Sequence, residues 1–163
     1  MTMDTGLFWG SVVVLYGLIA GSFAGAQVWR LRWLQLSVEK QQKEVYDKAE
    51  YRRLSVLDHS KKSSHDRSRC FECGHQLAWY DLLPLVSWLS TGGQCRYCRK
   101  RIGWYEPVVE VSVALFYLTS YVLWPFGFDS WVGIALFVIW LMALVPAAIL
   151  FTYDLKWSLL PDV

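Results

Sequence analysis

The sequence predicts an α-helical polytopic membrane protein with three spans and a small cytoplasmic, zinc-ribbon-like insertion that contains four cysteines. The 163-residue chain is 55% hydrophobic and 17% aromatic with only 18% charged residues, which is too apolar for an ordinary soluble domain. Two Cys-x-x-Cys pairs lie in a basic region flanked by long uncharged apolar segments. This combination is typical of a membrane chain that carries one metal-binding module.

Three stretches of the chain are long enough to cross a bilayer as helices. The first span, predicted at residues 1–29, includes an uncharged run of about 25 residues, or about 37 Å of helix against about 30 Å of hydrocarbon. The second is predicted at 107–128 and the third at 131–153, directly before Asp154. A cleaved signal peptide is the alternative for the first run, because Ala24-Gly25-Ala26 has the small residues of a cleavage site. The lack of a basic residue before the run argues against it.

The basic residues predict how the spans are oriented. Of the sixteen Lys and Arg residues, fifteen lie between positions 30 and 101, and the other is Lys156. Positive charge near span ends marks the cytoplasmic side of a membrane protein. Residues 30–106 are therefore predicted to be cytoplasmic, and the amino terminus is predicted to be outside.

This cytoplasmic region is predicted to have two parts. Residues 30–69 are expected to form a helix that continues the first span and then a polar linker. No Gly or Pro occurs from 26 to 57, and residues 58–69 have no apolar side chain. Residues 70–106 are expected to form a zinc-binding domain with four cysteine ligands.

Cys70, Cys73, Cys95 and Cys98 are the predicted metal ligands. A Cys-x-x-Cys turn brings two thiolates to one ion, and two such turns complete a tetrahedral set. Zn²⁺ is the expected ion, with an iron centre as its main competitor. Two disulfides or a redox dithiol are the alternatives, against which the cytoplasmic location and the two matched pairs argue. Because four protein ligands leave no position for water, the zinc is predicted to be structural and His75 a bystander.

Asp154 is the predicted reactive group. It directly follows the third apolar run, and an ionisable group at a membrane boundary is a candidate functional residue. Residues 154–163 are accordingly predicted to begin a catalytic segment. The alternative, from residue chemistry alone, is an interfacial aspartate that ends the span and pairs with Lys156.

A series of short motifs follows one order along the chain. They are Gly21-Ser22-Phe23 with Arg30-Leu31, the two cysteine pairs with Leu83-Pro84-Leu85-Val86-Ser87-Trp88-Leu89 between them, Gly92-Gly93, Pro107-Val108-Val109-Glu110, and Asp154 with Leu159-Leu160-Pro161-Asp162. In this order they resemble the bacterial type IV prepilin peptidases, a family of intramembrane aspartyl proteases. The shared order makes the resemblance specific.

The resemblance implies an activity, a location and partners. The family removes a short basic leader from pilin and pseudopilin precursors at the cytoplasmic face of the bacterial inner membrane. It commonly also methylates the new amino terminus with S-adenosylmethionine. Asp154 is implied as one of two catalytic aspartates, of which one activates water while the other protonates the leaving group. The implied partners are precursor peptides and the lipid bilayer, with no nucleic acid.

The chain also departs from the family pattern. The second catalytic aspartate, in a Gly-x-Gly-Asp type segment, has no counterpart up to Val163. An amino-terminal fragment of a longer enzyme is therefore expected, with half of a split peptidase or a non-catalytic, membrane-anchored zinc module as alternatives. Gly25 stands where the family often has Asn, and no Pro follows Arg30-Leu31. Both differences bear on how this segment handles substrate or methyl donor.

Overall fold

The computed structural model describes residues 3–57 and 68–158. Within these ranges the helices are α1 (Met3–Gln41), α2 (Lys48–Leu54), α3 (Val86–Ser90), α4 (Tyr105–Val122) and α5 (Trp131–Trp157), with 3-10 turns at Ser55–Leu57 and Trp79–Leu82. The same ranges contain no β-strand, and their two isolated bridges pair Arg69 with Gln76 and Gln94 with Arg101. The predicted helical class is confirmed, whereas the strands of a zinc ribbon are not formed in the described ranges.

Among the described residues, two helices are long and apolar enough to cross a membrane, Thr5–Gln41 and Trp131–Trp157. Helix α4 is not among them, and its first two turns carry Glu106 and Glu110. The span at 107–128 therefore stays a prediction.

Helix α1 extends the first apolar run into the basic region and ends at Gln41. The helix expected from the lack of Gly and Pro is interrupted there, because Asp47 caps a new helix. The Asp47 carboxylate accepts the backbone N–H groups of Ala49 at 2.8 Å and Glu50 at 3.1 Å. These bonds hold the pKa of Asp47 below its usual range, and such local bonds compete with helix continuation. Most of the predicted polar linker, residues 58–67, lies outside the described residues.

Helices α1 and α4 pack antiparallel through small residues of α1. A Cβ atom added to Gly17 would lie 2.6 Å from the Cα atom of Ala114, and one added to Gly21 would lie 2.6 Å from that of Glu110. Small residues let two membrane helices approach this closely. The same contacts set the register, since Glu110 lies at the level of Gly21 along α1.

Two apolar clusters hold the helices together. The first joins α1, α4 and α5 and contains Val13, Val109, Val113, Tyr117 and Phe137. The second lies on the basic side, joins α1 to α2, and contains Trp29, Trp33, Leu36 and Leu54. The end of α5 reaches this second cluster through Trp157. The segment that carries Asp154 therefore packs beside the carboxy-terminal, basic part of α1.

Candidate metal centre and active-site segment

The first cysteine pair forms a tight turn closed by backbone hydrogen bonds. The N–H of Gly74 donates to the carbonyl of Cys70 at 2.9 Å, and the N–H of Cys70 donates to the carbonyl of His75 at 3.0 Å. Gly74 has a φ of +69°, a conformation that glycine adopts without steric cost. The turn presents the Cys70 and Cys73 thiols to the same point.

The second cysteine pair repeats this turn. The N–H of Arg99 donates to the carbonyl of Cys95 at 2.9 Å, and the N–H of Cys95 donates to the carbonyl of Lys100 at 2.8 Å. Arg99 occupies the place of Gly74 and has a φ of +60°. The second turn therefore has the same backbone conformation as the first but has arginine where the first has glycine. For this reason the sequence does not reveal that the two turns are alike.

The four predicted ligands converge on one point. The sulfur atoms of Cys70, Cys73, Cys95 and Cys98 all lie within 4.8 Å of one another, and all four thiols are free. Sulfur atoms about 2.3 Å from a tetrahedral zinc ion lie about 3.8 Å apart, close to the 3.9 Å between Cys70 Sγ and Cys98 Sγ. The donor set and its spacing therefore fit a four-thiolate zinc ion.

The cysteines differ in their surroundings. Burial raises the pKa of the Cys70 thiol. Burial opposes ionisation of Cys95 as well, but hydrogen bonds from the backbone N–H groups of Cys98 and Tyr97 outweigh it and lower the pKa of Cys95. The turn thus supplies donors that stabilise a thiolate ligand. His75 lies outside this cluster, with its ring 3.7 Å from the ring of Tyr97.

Asp81 links the second turn to the segment between the cysteine pairs. Its carboxylate accepts hydrogen bonds from Arg96 Nε at 2.9 Å, from Tyr97 Oη at 3.0 Å and from the N–H of Ala78 at 3.2 Å. Burial alone would raise the pKa of Asp81, but these donors outweigh burial and lower it. Asp81 therefore braces the second cysteine turn from outside the group of four thiols.

Asp154 lies in the last turn of α5 and is exposed. The helix continues to Trp157 rather than ending at Asp154, so the carboxylate projects from regular helix. Among the residues that the structure describes, no side chain forms a hydrogen bond or ion pair with it. The predicted alternative partner, Lys156, instead places its Nζ 3.6 Å from the ring centre of Trp29 and 3.9 Å from that of Tyr105. The neighbouring motif 159–162 lies outside the described residues.

Residues on either side of Asp154 fix the end of α5 to the rest of the molecule. Trp157 Nε1 donates to Glu50 of α2 at 3.2 Å, and Arg32 of α1 forms an ion pair with the same carboxylate at 2.8 Å. The hydroxyl of Tyr153 donates to the side-chain oxygen of Gln35. Sequence reasoning missed this network, because its members are far apart in the chain and no local motif connects them.

A cavity of about 250 Å³ lies between α1, the cysteine module and the first turns of α4. Glu110 is only 7% exposed and accepts the N–H of Leu85 at 2.8 Å, and Glu106 accepts Trp29 Nε1 at 3.1 Å. Basic residues also line the cavity: Arg53, Arg69, Arg96, Lys100 and Arg101. Asp154 is not among the lining residues. A ligand with both a positive and a negative group would match this lining.

Known proteins resemble this chain over most of its length. The family described as "Bacterial Peptidase A24 N-terminal domain" matches residues 15–124. The chain is 35% identical over 155 residues to the prepilin leader peptidase/N-methyltransferase of Pseudomonas aeruginosa, an alignment that covers 92% of the chain and 48% of that relative. It is 33% identical over 147 residues to the type 4 prepilin-like proteins leader peptide-processing enzyme of Escherichia coli, covering 90% and 49%.

A shorter match reaches higher identity. The chain is 40% identical over 84 residues to the prepilin leader peptidase/N-methyltransferase of Myxococcus xanthus, covering 52% of the chain and 21% of that relative. No solved structure matches the chain. The chain spans about half the length of the Pseudomonas and Escherichia relatives. These findings confirm the resemblance drawn from the motif order, and the chain therefore belongs to the bacterial peptidase A24 family and carries its amino-terminal domain.

Proposed function

We propose that this protein acts in removing the leader peptide from type IV prepilins or pseudopilins at the cytoplasmic face of the bacterial inner membrane, with Asp154 as one of two catalytic carboxylates. Family membership supports the peptidase class. The observation that carries the residue assignment is the exposed Asp154 carboxylate on a helix end that is fixed on both sides.

Peptide hydrolysis by two aspartates is general acid–base catalysis. One carboxylate takes a proton from water, the oxygen of that water attacks the scissile carbonyl carbon, and the other carboxylic acid protonates the leaving amine. Asp154 would hold one of these positions. The resemblance assigns the second catalytic position to an aspartate in a Gly-x-Gly-Asp type segment. These 163 residues do not contain such a segment. The activity is therefore proposed for the protein that carries both aspartates.

The test is Asp154→Asn in the full-length protein, assayed in membranes for shortening of a prepilin substrate. Loss of one proton-transferring carboxylate is expected to slow cleavage by about 10²- to 10⁴-fold. Asp129→Asn is the matched control, because Asp129 is also exposed but lies in the connection between α4 and α5. Cleavage by Asp154→Asn at the rate of the control would refute the assignment. Cleavage by neither the variant nor the unmodified protein would favour the non-catalytic zinc module.

We also propose that the four cysteines hold a structural Zn²⁺. The convergence of four free thiols within 4.8 Å of one another supports this ion, and four protein ligands leave no position for a reactive water. The zinc would hold the two turns together and keep Asp81 and Glu110 in place through the segment between them. It supplies no step of the hydrolysis.

The cavity supports S-adenosylmethionine as a second ligand. Two of its carboxylates, Glu106 and Glu110 of α4, would face the sulfonium or ammonium of the methyl donor, and the basic residues of the cysteine module would face its carboxylate. The bound donor would supply a methyl group to the new amino terminus. Glu106→Gln keeps the acceptor for Trp29 while it removes the charge, and is expected to lower methylation of the mature substrate without slowing leader cleavage. Equal loss of both activities would refute a separate donor site.

The proposed orientation has the amino terminus outside and the cysteine module in the cytoplasm. The concentration of basic residues between positions 30 and 101 supports it. A reporter that is active only in the periplasm, fused after Ser90, is expected to be inactive, whereas one fused at the amino terminus is expected to be active. The reverse pattern would refute the orientation.

A further inference from the structure

The segment between the cysteine pairs combines an unusual sequence with an unusual exposure. Residues 82–94 contain no charged side chain. Within residues 79–90, here called the apolar loop, Trp79 is 74% exposed, Val86 59% and Leu89 68%, and Leu82 and Leu83 are also exposed. Several large apolar side chains exposed along one short segment would be unfavourable on a module that faced only water, and exposed apolar surface marks an interaction site.

The apolar loop is held beside the membrane-facing part of the helices. The N–H of Leu85 donates to Glu110 at 2.8 Å, and Glu110 lies against Gly21 of α1. Gly21 is eight residues before Trp29, at the end of the charge-free run of a candidate membrane span, so it lies about 12 Å inside that end. Leu85 is thus at the level of the charge-free run of α1, and the first basic residues of α1 lie beyond the end of that run.

A second contact ties the loop to the start of α4. Trp88 Nε1 donates to the carbonyl of Gly103 at 3.3 Å, and the Trp88 ring lies 4.3 Å from the ring of Trp104, which is itself exposed. Trp residues favour the interface between hydrocarbon and headgroups. The loop and Trp104 therefore lie side by side next to the start of α4.

Charge next to the loop matches a lipid surface. Arg99, Lys100 and Arg101 follow it on the second cysteine turn and are exposed. Basic groups close to a bilayer are attracted to its anionic headgroups. Along the chain, the apolar loop comes first and the basic turn follows it. A segment that inserts into the edge of a lipid leaflet has the same order of apolar residues and then basic residues.

We propose that the apolar loop inserts Val86, Leu89 and their apolar neighbours into the lipid leaflet on the side of the cysteine module, so that the module is bound to the membrane surface. The inference rests on the proposed membrane location. Its partner is the phospholipid bilayer, with acyl chains against the loop and anionic headgroups against the basic turn. Exposed apolar side chains of this kind are the anchors of interfacial helices.

The test compares two exposed valines in the full-length protein, reconstituted in vesicles of phosphatidylethanolamine and phosphatidylglycerol. An environment-sensitive fluorescent amino acid replaces either Val86 or Val45. Val45 is the matched control, because it is fully exposed and follows Gln41, the last residue of α1. Gln41 itself lies about 18 Å past Trp29 along the helix axis. The quenchers are phospholipids brominated close to the headgroup and iodide in the water.

Lipid quenching is expected to be several-fold stronger at Val86 than at Val45, and iodide quenching several-fold weaker. A label at Leu89 should repeat the result for Val86. Equal iodide quenching at Val86 and Val45 would place the loop in water and overturn the proposal. Shielding of Val86 from both quenchers would show that protein covers it, and would overturn the proposal too. Leader cleavage in the same vesicles is a separate readout, so loss of cleavage with lipid contact retained counts against the proposed activity alone.

Discussion

Gly21→Ala tests the close approach of α1 and α4. The added Cβ atom would lie 2.6 Å from the Cα atom of Glu110 and 3.1 Å from the carbonyl oxygen of Val109, whereas ordinary contacts begin at 3.4 Å. The backbones would have to separate by about 0.8 Å at this level. Neither atom belongs to a flexible side chain that could move aside. Overpacking of this kind costs about 1–3 kcal/mol.

The matched control is Gly25→Ala, one turn further along the same helix. Nothing lies within 4 Å of a Cβ atom at Gly25, so this change is expected to be neutral or to stabilise α1 by up to about 1 kcal/mol through helix propensity. The free energy of unfolding, measured by denaturant titration of the purified protein in detergent micelles, should therefore differ between the two variants by about 2 kcal/mol. Agreement within about 0.5 kcal/mol, the range of changes that touch nothing, would refute the α1–α4 packing.

Three further predictions concern the cysteine module. Cys73→Ser removes one thiolate, so bound zinc, measured by elemental analysis after dialysis, should fall below one ion per chain. Asp81→Asn should destabilise the zinc-loaded module by about 1–3 kcal/mol at neutral pH, because buried hydrogen bonds to a charged acceptor are lost. The pKa of Asp81 is lowered by folding, so this difference should persist down to about pH 4 and vanish as pH falls through the folded-state pKa. Arg99→Gly should stabilise the module by about 0.5–1 kcal/mol, because φ is +60° at Arg99.

Each of these three predictions has an outcome that would contradict it. His75→Ala is the control for zinc binding, and loss of zinc from it but not from Cys73→Ser would contradict the ligand assignment. A stability difference for Asp81→Asn that grows as pH falls would contradict the sign of the shift. A loss of stability for Gly74→Ala without a gain for Arg99→Gly, measured by thermal unfolding, would contradict the equivalence of the two turns.

The sequence was enough to predict the ligand set, because metal chemistry limits which residues converge. Cys70, Cys73, Cys95 and Cys98 are the four cysteines of the chain, and a pair separated by two residues can meet one ion only through a local turn. The likeness of the two turns could not be predicted. Arg99 adopts the backbone conformation that Gly74 adopts, and only the surrounding hydrogen bonds impose it.

The surroundings of Asp154, in contrast to the cysteine cluster, could not be predicted from the sequence. Its position after an apolar run and its place in the motif order made it a candidate. The network that fixes its helix joins Arg32, Glu50 and Trp157, and neither hydropathy nor a local motif relates residues so far apart. The alternative, a pairing of Asp154 with Lys156, was a proximity argument, and the Lys156 ammonium lies over the ring of Trp29 instead.

The sequence by itself determined the class of chain, the four cysteines that converge and the family, because apolar run length, thiol spacing and motif order are local properties. Tertiary structure decided the register of α1 against α4, which depends on how closely Gly17 and Gly21 let two backbones approach. It also decided that Glu110 is buried and accepts the N–H of Leu85, which ties the middle of the cysteine module to the part of α4 that packs against Gly21. Such contacts depend on three-dimensional packing, and no pattern in the separate segments specifies them.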